Sequence, residues 1–233
     1  MKVDPISTRL FKEREDLASF VAVHVPVLKE GSIIAIASKI VALAEGRTLA
    51  PVGTKAKEAL IRSESEWARK ILPKWWLTVR DGTVVVNAGI DESNAQDVMI
   101  LLPKDSFKSA ARLRTQLQKI YKLKKLGVII TDSRITPLRA GVVGVALGYA
   151  GIAGVRDYRG TKDLHGRTME VTQTDVADSL ATAATLVMGE GAERQPLAII
   201  TDAPVKFSDR VKRDELRMDP RKDMYRGFFR TND

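Results

Sequence analysis

The sequence of 233 residues predicts a mixed α/β protein built around buried strands, and three observations predict it. Short apolar runs at residues 32–38, 127–131 and 197–201 have the length and β-branched content of interior strands. Segments with apolar residues at helical spacing alternate with them. No internal repeat or low-complexity tract divides the chain, so one large domain or two interlocked small ones are expected, over residues 1–203.

Taken in order, residues 16–23 read as a short helix with Leu17, Phe20 and Val21 on one face. Gly31 opens the strand at 32–38, and 39–43 continues apolar with one charge. Gly46 breaks regular structure, and Glu45 and Arg47, which flank it, read equally as a surface ion pair or as functional residues. Residues 54–72 place Ala56, Ala59, Leu60, Trp67 and Ile71 at helical spacing, with Pro73 as the stop and Trp75 and Trp76 as a packed hinge. Asp81 and Gly82 join two short β-rich arms, 77–80 and 83–86, into a hairpin. A further apolar run at 98–102 closes at Pro103, and 109–119 is helical with Ala110, Leu113 and Leu117 on one face. Residues 139–154 interleave glycine with small apolar residues, which favours close backbone packing as strand and turn; no lysine follows as a phosphate loop would require. Residues 156–167 form a charged, exposed loop. Residues 173–188 form a helix that Gly189 to Gly191 ends. Beyond Pro204 the chain is charge-rich, and residues 204–233 are expected to be a peripheral or disordered extension.

Composition excludes several chemistries. There is no cysteine, hence no disulfide framework, thiolate metal site or cysteine nucleophile, in keeping with a reducing, cytoplasmic setting. The two histidines, His24 and His165, are too few for a histidine-rich zinc centre. The charged first ten residues do not read as a signal peptide, and no apolar run approaches the roughly 20 residues of a membrane span. The net charge of +9 suits a polyanionic partner: nucleic acid, nucleotide or phosphorylated metabolite. Aromatic residues make up only 6% and do not interleave with basic ones, so nucleic acid is disfavoured.

The stretch from Val84 to Asn94 concentrates the candidate chemistry. Three valines read as a buried strand, and Asn87, Asp91, Ser93 and Asn94 then crowd the turn that follows, where Gly89 supplies backbone freedom. Alone this is an ordinary capped turn. The run from Gly127 to Ser133 repeats the pattern, ending in Asp132 and Ser133. Two strands that each deliver a carboxylate at their exit can converge on one hard cation.

Several segments carry a resemblance, in register over roughly residues 30–200: 38–41 with 44–47; 86–91 with Ser93 and Asn94; 101–103; 128–133; Arg139 with Gly141, Gly144, Ala146 and Gly148; Asp157 and Gly160 with Asp163, Gly166 and Arg167; and 188–191. Together they resemble the coenzyme F-420:L-glutamate ligase family, the GTP-dependent γ-glutamyl ligases. The resemblance implies an α+β fold intertwined between two subunits of a homodimer, GTP as co-substrate, and Mn2+ or Mg2+, with K+ as a further ion. It implies Asp91 and Asp132 as ligands of one metal, and Ser133 with Glu190 as ligands of a second. It implies Ser38, Lys39, Asn94 and the backbone at Gly191 as nucleotide contacts. Arg47, Arg139 and Arg167 are candidate anion clamps, with solvated surface charge the equal alternative. The chain departs from the family pattern at Leu43, where a lysine is usual, at 134–137 and at 8–11. These changes bear on the nucleotide grip and the acceptor. The expected partners are therefore L-glutamate and a γ-glutamyl acceptor, either the F-420 precursor or a folate. A nucleotide-binding homologue without catalysis and a basic RNA-binding module are the rival readings.

Overall fold

The structure, a computed structural model, describes residues 1–93 and 98–228. At its centre lies a five-stranded mixed sheet in the order β1 (Lys2–Ile6), β12 (Leu197–Thr201), β2 (Ser32–Ala37), β8 (Leu126–Ile135) and β9 (Val142–Ala150). Only the β2–β8 pair is parallel, in a register running from Ser32 beside Leu126 to Ala37 beside Thr131. The interior strands are apolar on both faces because both faces are covered. On one side α1 (Leu17–His24), α2 (Ser38–Ala44) and α4 (Ser106–Tyr121) enclose Phe20, Ile34, Ile36, Leu117, Val128 and Ile130. On the other, α5 (Val176–Met188) covers Ile33, Ala35, Ile129 and Tyr149. Aspartates cap three of these helices: Asp16, Asp105 and Asp175 accept from the backbone amides of Ser19, Lys108 and Asp178. The glycines of β9 answer to this layering. A Cβ at Gly148 would enter the backbone of α4, and one at Gly144 the backbone of α5 at Ala181. Two short strands, β10 (Val155–Asp157) and β11 (Gln173–Asp175), pair beside the charged 156–167 loop.

Between α2 and α4 the chain builds a smaller module. It comprises β3 (Thr48–Leu49) paired with β7 (Met99–Ile100), the helix α3 (Thr54–Ser63), and a three-stranded meander of β4 (Trp67–Leu72), β5 (Trp75–Arg80) and β6 (Thr83–Val86). Its own core is small, with Ile61, Trp76 and Ala88 at the centre. The β5–β6 hairpin turns on Asp81 and Gly82, both at positive φ, as expected.

Several local expectations are corrected. The helix expected over 54–72 ends at Ser63, and 67–72 is strand β4. Trp67 and Ile71 also fit helical spacing, but pairing with β5 decides the outcome, and that pairing is invisible to local periodicity. Residues 39–43 belong to a helix, with Ile40, Val41 and Ala42 buried. β6 is an edge strand rather than a buried one: Val84 is 38% exposed. Glu45 and Arg47 do not pair. Glu45 accepts from the Lys104 amide and the Ser109 hydroxyl, whereas Arg47 binds Glu64. The segment after Pro204 is not wholly peripheral, because Val205, Phe207, Val211 and Leu216 pack on the α5 core. Glu215 accepts from the Tyr149 hydroxyl at 2.6 Å and the Gly154 amide at 2.7 Å. Among the described residues, no helix is long and apolar enough to cross a membrane.

Candidate active site

The end of β2, the start of α2 and the middle of β8 meet the small module across a cleft of about 1250 Å3. Ser38, Lys39, Asp91, Ser93, Asp132, Ser133, Glu190 and Gly191 all line it. The nucleotide and metal candidates that the sequence scatters over 150 positions thus share one cavity, apart from Asn94, which lies outside the described residues.

Each half of the site is held differently. Asp132 is not at a strand exit as expected. β8 continues to Ile135 along β9, with a register shift between Ile130 and Thr131. What ends there is the parallel partner β2, whose last paired residue, Ala37, leads directly into α2. Asp132 therefore faces open space beyond the end of β2 while remaining inside a rigid strand. Asp91 follows a tight turn in which Asn87, Ala88 and Gly89 all take positive φ. Asn87 fixes the turn by accepting from the Trp76 amide at 2.9 Å, and the buried Thr78 hydroxyl accepts from the Ala88 amide. A Cβ at Gly89 would lie 2.6 Å from the Leu102 side chain, so glycine is required by both space and backbone. Asp91 then exchanges two backbone hydrogen bonds with Ile100, at 2.8 and 2.9 Å.

Consecutive residues of α2 connect the halves. The Ser38 hydroxyl donates to Asp132 Oδ1 at 3.2 Å, and Lys39 Nζ lies 2.7 Å from Asp91 Oδ2 and donates to the Ser93 carbonyl at 2.9 Å. Burial pushes the Asp91 carboxyl up, but Lys39 and the Ser93 hydroxyl and amide outweigh it, so the group sits below the usual carboxylate range. Asp132 goes the other way. Its surroundings exclude enough water to raise it, although 23% of the side chain stays accessible; Arg134 and Ser38 oppose the rise and the Asp91 charge adds to it. Glu190 is also raised by burial, against the pull of Ser133 and Lys39, with the Asp132 charge reinforcing the rise. Burial is thus the main cause of both raised carboxyls, while the direct Lys39 and Ser93 contacts keep Asp91 lowered.

The donors fit a hard divalent cation. The candidate donors are all oxygens: the carboxylates of Asp91, Asp132 and Glu190 and the hydroxyl of Ser133. Among the described residues no three acidic, histidine or cysteine side chains are close enough to cage an ion alone.

The three nominated clamps lie elsewhere. Arg47 Nη2 is bound to Glu64 Oε2 at 2.6 Å and its Nε donates to the Leu102 carbonyl, so it ties the small module together. Arg139, in the β8–β9 turn, and Arg167, in the charged loop, are exposed and off the cleft. The cationic wall comes instead from Arg9, Lys12, Lys39, Arg134 and Arg194. Of these, the sequence singled out only Lys39. Arg9 and Arg134 lie in the 8–11 and 134–137 segments where the family pattern is broken, which was the one signal pointing at them.

The model of the family described as F420-0:Gamma-glutamyl ligase matches residues 5–202. The chain is 38% identical over 219 residues to the coenzyme F420:L-glutamate ligase of Methanopyrus kandleri, covering 85% of this chain and 86% of that protein. It is 34% identical over 234 residues to the enzyme of the same name from Methanococcus maripaludis strain C7, covering 93% and 94%. With that of Archaeoglobus fulgidus it shares 36% over 208 residues, covering 82% and 83%. A cleft whose donors come from the segments that carry the family pattern, in a chain matched nearly end to end, places the protein in the F420-0:Gamma-glutamyl ligase family.

Proposed function

We propose that the chain is a GTP- and divalent-metal-dependent ligase that forms a γ-glutamyl amide between L-glutamate and the coenzyme F-420 precursor, and that it works as a homodimer. The observation that carries the reading is the meeting of Asp91, Asp132, Ser133 and Glu190 around Lys39 in one cleft. Amide formation from a carboxylate needs activation. An acceptor carboxylate oxygen attacks the γ-phosphorus, the bond to GDP breaks, and an acyl phosphate results. The glutamate amine then attacks the acyl carbon, phosphate leaves, and the nitrogen gives up its proton. Little covalent work falls to the protein. It positions the partners and neutralises charge.

Asp91 and Asp132 would hold one ion, with Ser133 and Glu190 at a second. Bound there, such ions supply charge neutralisation on the phosphate oxygens. Lys39, held against Asp91, would supply a fixed cation for the nucleotide phosphates, while Ser38 holds the Asp132 carboxylate in orientation. Exposed apolar residues at the β8–β9 tip, Ile135, Leu138 and Val142, support the homodimer.

The experiment is mass spectrometry of products from F-420 precursor and tetrahydrofolate, each offered with GTP, L-glutamate and Mn2+. A glutamyl mass gain on the F-420 precursor is expected. A gain on the folate alone would turn the acceptor to a pterin. GTP binding with no GDP release on either acceptor would leave a non-catalytic homologue.

A further inference from the structure

Arg134 stands out from every other arginine of the cleft. It lies on β8 opposite Val143, two residues beyond Asp132 and therefore on the same face of the strand. Only 5% of it is exposed. Its Nε, Nη1 and Nη2 atoms have no hydrogen-bond partner among the described residues. The nearest carboxylate oxygen, Asp132 Oδ2, is 4.0 Å away, beyond hydrogen-bonding reach. Its neighbour Arg80 differs: that guanidinium binds the Glu64 carboxylate and donates to the Glu64 and Pro103 carbonyls. An arginine cannot shed its charge as a lysine can, so an idle buried guanidinium is a standing cost to the fold. Arg134 nevertheless lines the same cleft as Asp132, Ser133 and Lys39.

We propose that Arg134 is the oxyanion-binding residue of this cleft, receiving two oxygens of a carboxylate or phosphoryl group on its planar fork of N–H donors. A guanidinium offers parallel donors at the spacing of such an oxygen pair. Asp132, 4.0 Å from Nη2, balances the charge without consuming the donors. Sources for the oxyanion are the nucleotide phosphates, the L-glutamate carboxylates and the acceptor carboxylate. Which of these can arrive rests on the ligase reading; that an oxyanion binds rests on the cleft alone.

The test compares wild type with Arg134→Gln and the near-isosteric Arg134→Met. Melting is followed in chloride, inorganic phosphate and glutarate at equal ionic strength. Separate calorimetric titrations use GTP, L-glutamate and F-420 precursor, with Mn2+ present throughout. Both variants should melt close to wild type in chloride, since no hydrogen bond to the protein is lost and only the 4.0 Å ion pair with Asp132 goes. The stabilisation by phosphate or glutarate should vanish. One of the three titrations should weaken by about tenfold or more, which names the source, while the other two hold. Unchanged titrations and unchanged anion stabilisation in the folded variants would overturn the inference. So would failure of both variants to fold, because the guanidinium would then be a structural support. A wild type that forms no glutamyl product but loses anion stabilisation on Arg134→Gln would sink the ligase reading and leave this one standing.

Discussion

The five-stranded sheet and the 48–101 module each contribute one carboxylate wall to the cleft, yet they hold it by unlike means. Asp132 sits in a strand flanked by two helical layers, and the core beneath it includes Ile129, Ile130 and Tyr149, all essentially inaccessible. Asp91 sits on a three-residue left-handed turn, in a module whose buried centre is little more than Ile61, Trp76 and Ala88. One wall is fixed by bulk burial. The other is fixed by a few specific hydrogen bonds: Asn87 to Trp76, Thr78 to Ala88, and Asp91 to Ile100. A site made this way has one rigid side and one side able to adjust to ligand, because local stability follows buried apolar contact.

That contrast can be broken most visibly at Asp132. Asp132→Asn should leave circular dichroism unchanged and lower metal-dependent turnover on the order of 10^3-fold, the scale of removing one preorganised charge at a transferring phosphoryl group. Turnover within tenfold of wild type would move the chemistry away from β8. The next effect is expected at Trp76, which is 3% exposed and stacks under Arg62 at 4.5 Å. Trp76→Ala should cost about 3–5 kcal/mol. The loss should fall on the module alone, opening it to proteolysis while α4, α5 and the sheet stay protected. One global transition in urea, probed from both regions, would show that they are a single cooperative unit.

Gly89→Ala tests the turn itself. Forcing a Cβ onto positive φ and into Leu102 should cost about 1–3 kcal/mol, read from the urea midpoint, and the cost should shrink in a Leu102→Ala background. Arg47→Ala leaves the half-buried Glu64 with Arg80 alone and should cost about 1–2 kcal/mol, whereas Arg139→Ala should stay within about 0.5 kcal/mol. Equal effects of the two would undo the assignment of Arg47 to scaffolding.

The smallest effect is electrostatic and belongs to the sheet side. Burial raises Asp175, at the start of α5, to about 6, with the nearby Asp178 charge adding to the rise and the Asp178 amide opposing it. The folded state therefore holds this proton more tightly than the unfolded chain does. Its stabilising contribution is complete below the ordinary value of 3.8 and is lost as pH climbs through about 6. Asp178→Asn keeps an acceptor for the Ala146 amide and should flatten the fall of the urea midpoint between pH 4 and 7. An unchanged slope would assign the shift to burial alone.

What the sequence disclosed follows from range. Strands β2, β8 and β12 and helices α1, α4 and α5 are written in local apolar spacing, and the structure has them within a few residues. Asp91 and Asp132 were legible as candidates because each closes an apolar run with a carboxylate, and both line the cleft. Strand β4 was not, since its identity depends on β5. The continuation of β8 past Asp132 was hidden too, because it depends on β9. Arg134 was beyond reach for a further reason. Whether a guanidinium has partners is a property of packing, and no spacing rule reports it.

The bond from Tyr149 to Glu215 has a practical corollary. The family model matches only as far as residue 202, yet the polypeptide keeps folding for about another dozen positions, laying Phe207 and Leu216 over the back of α5 and β9. Anyone trimming the gene to the matched stretch would strip off this cover, leave a sticky greasy strip facing water, and obtain an insoluble product that says nothing about the enzyme.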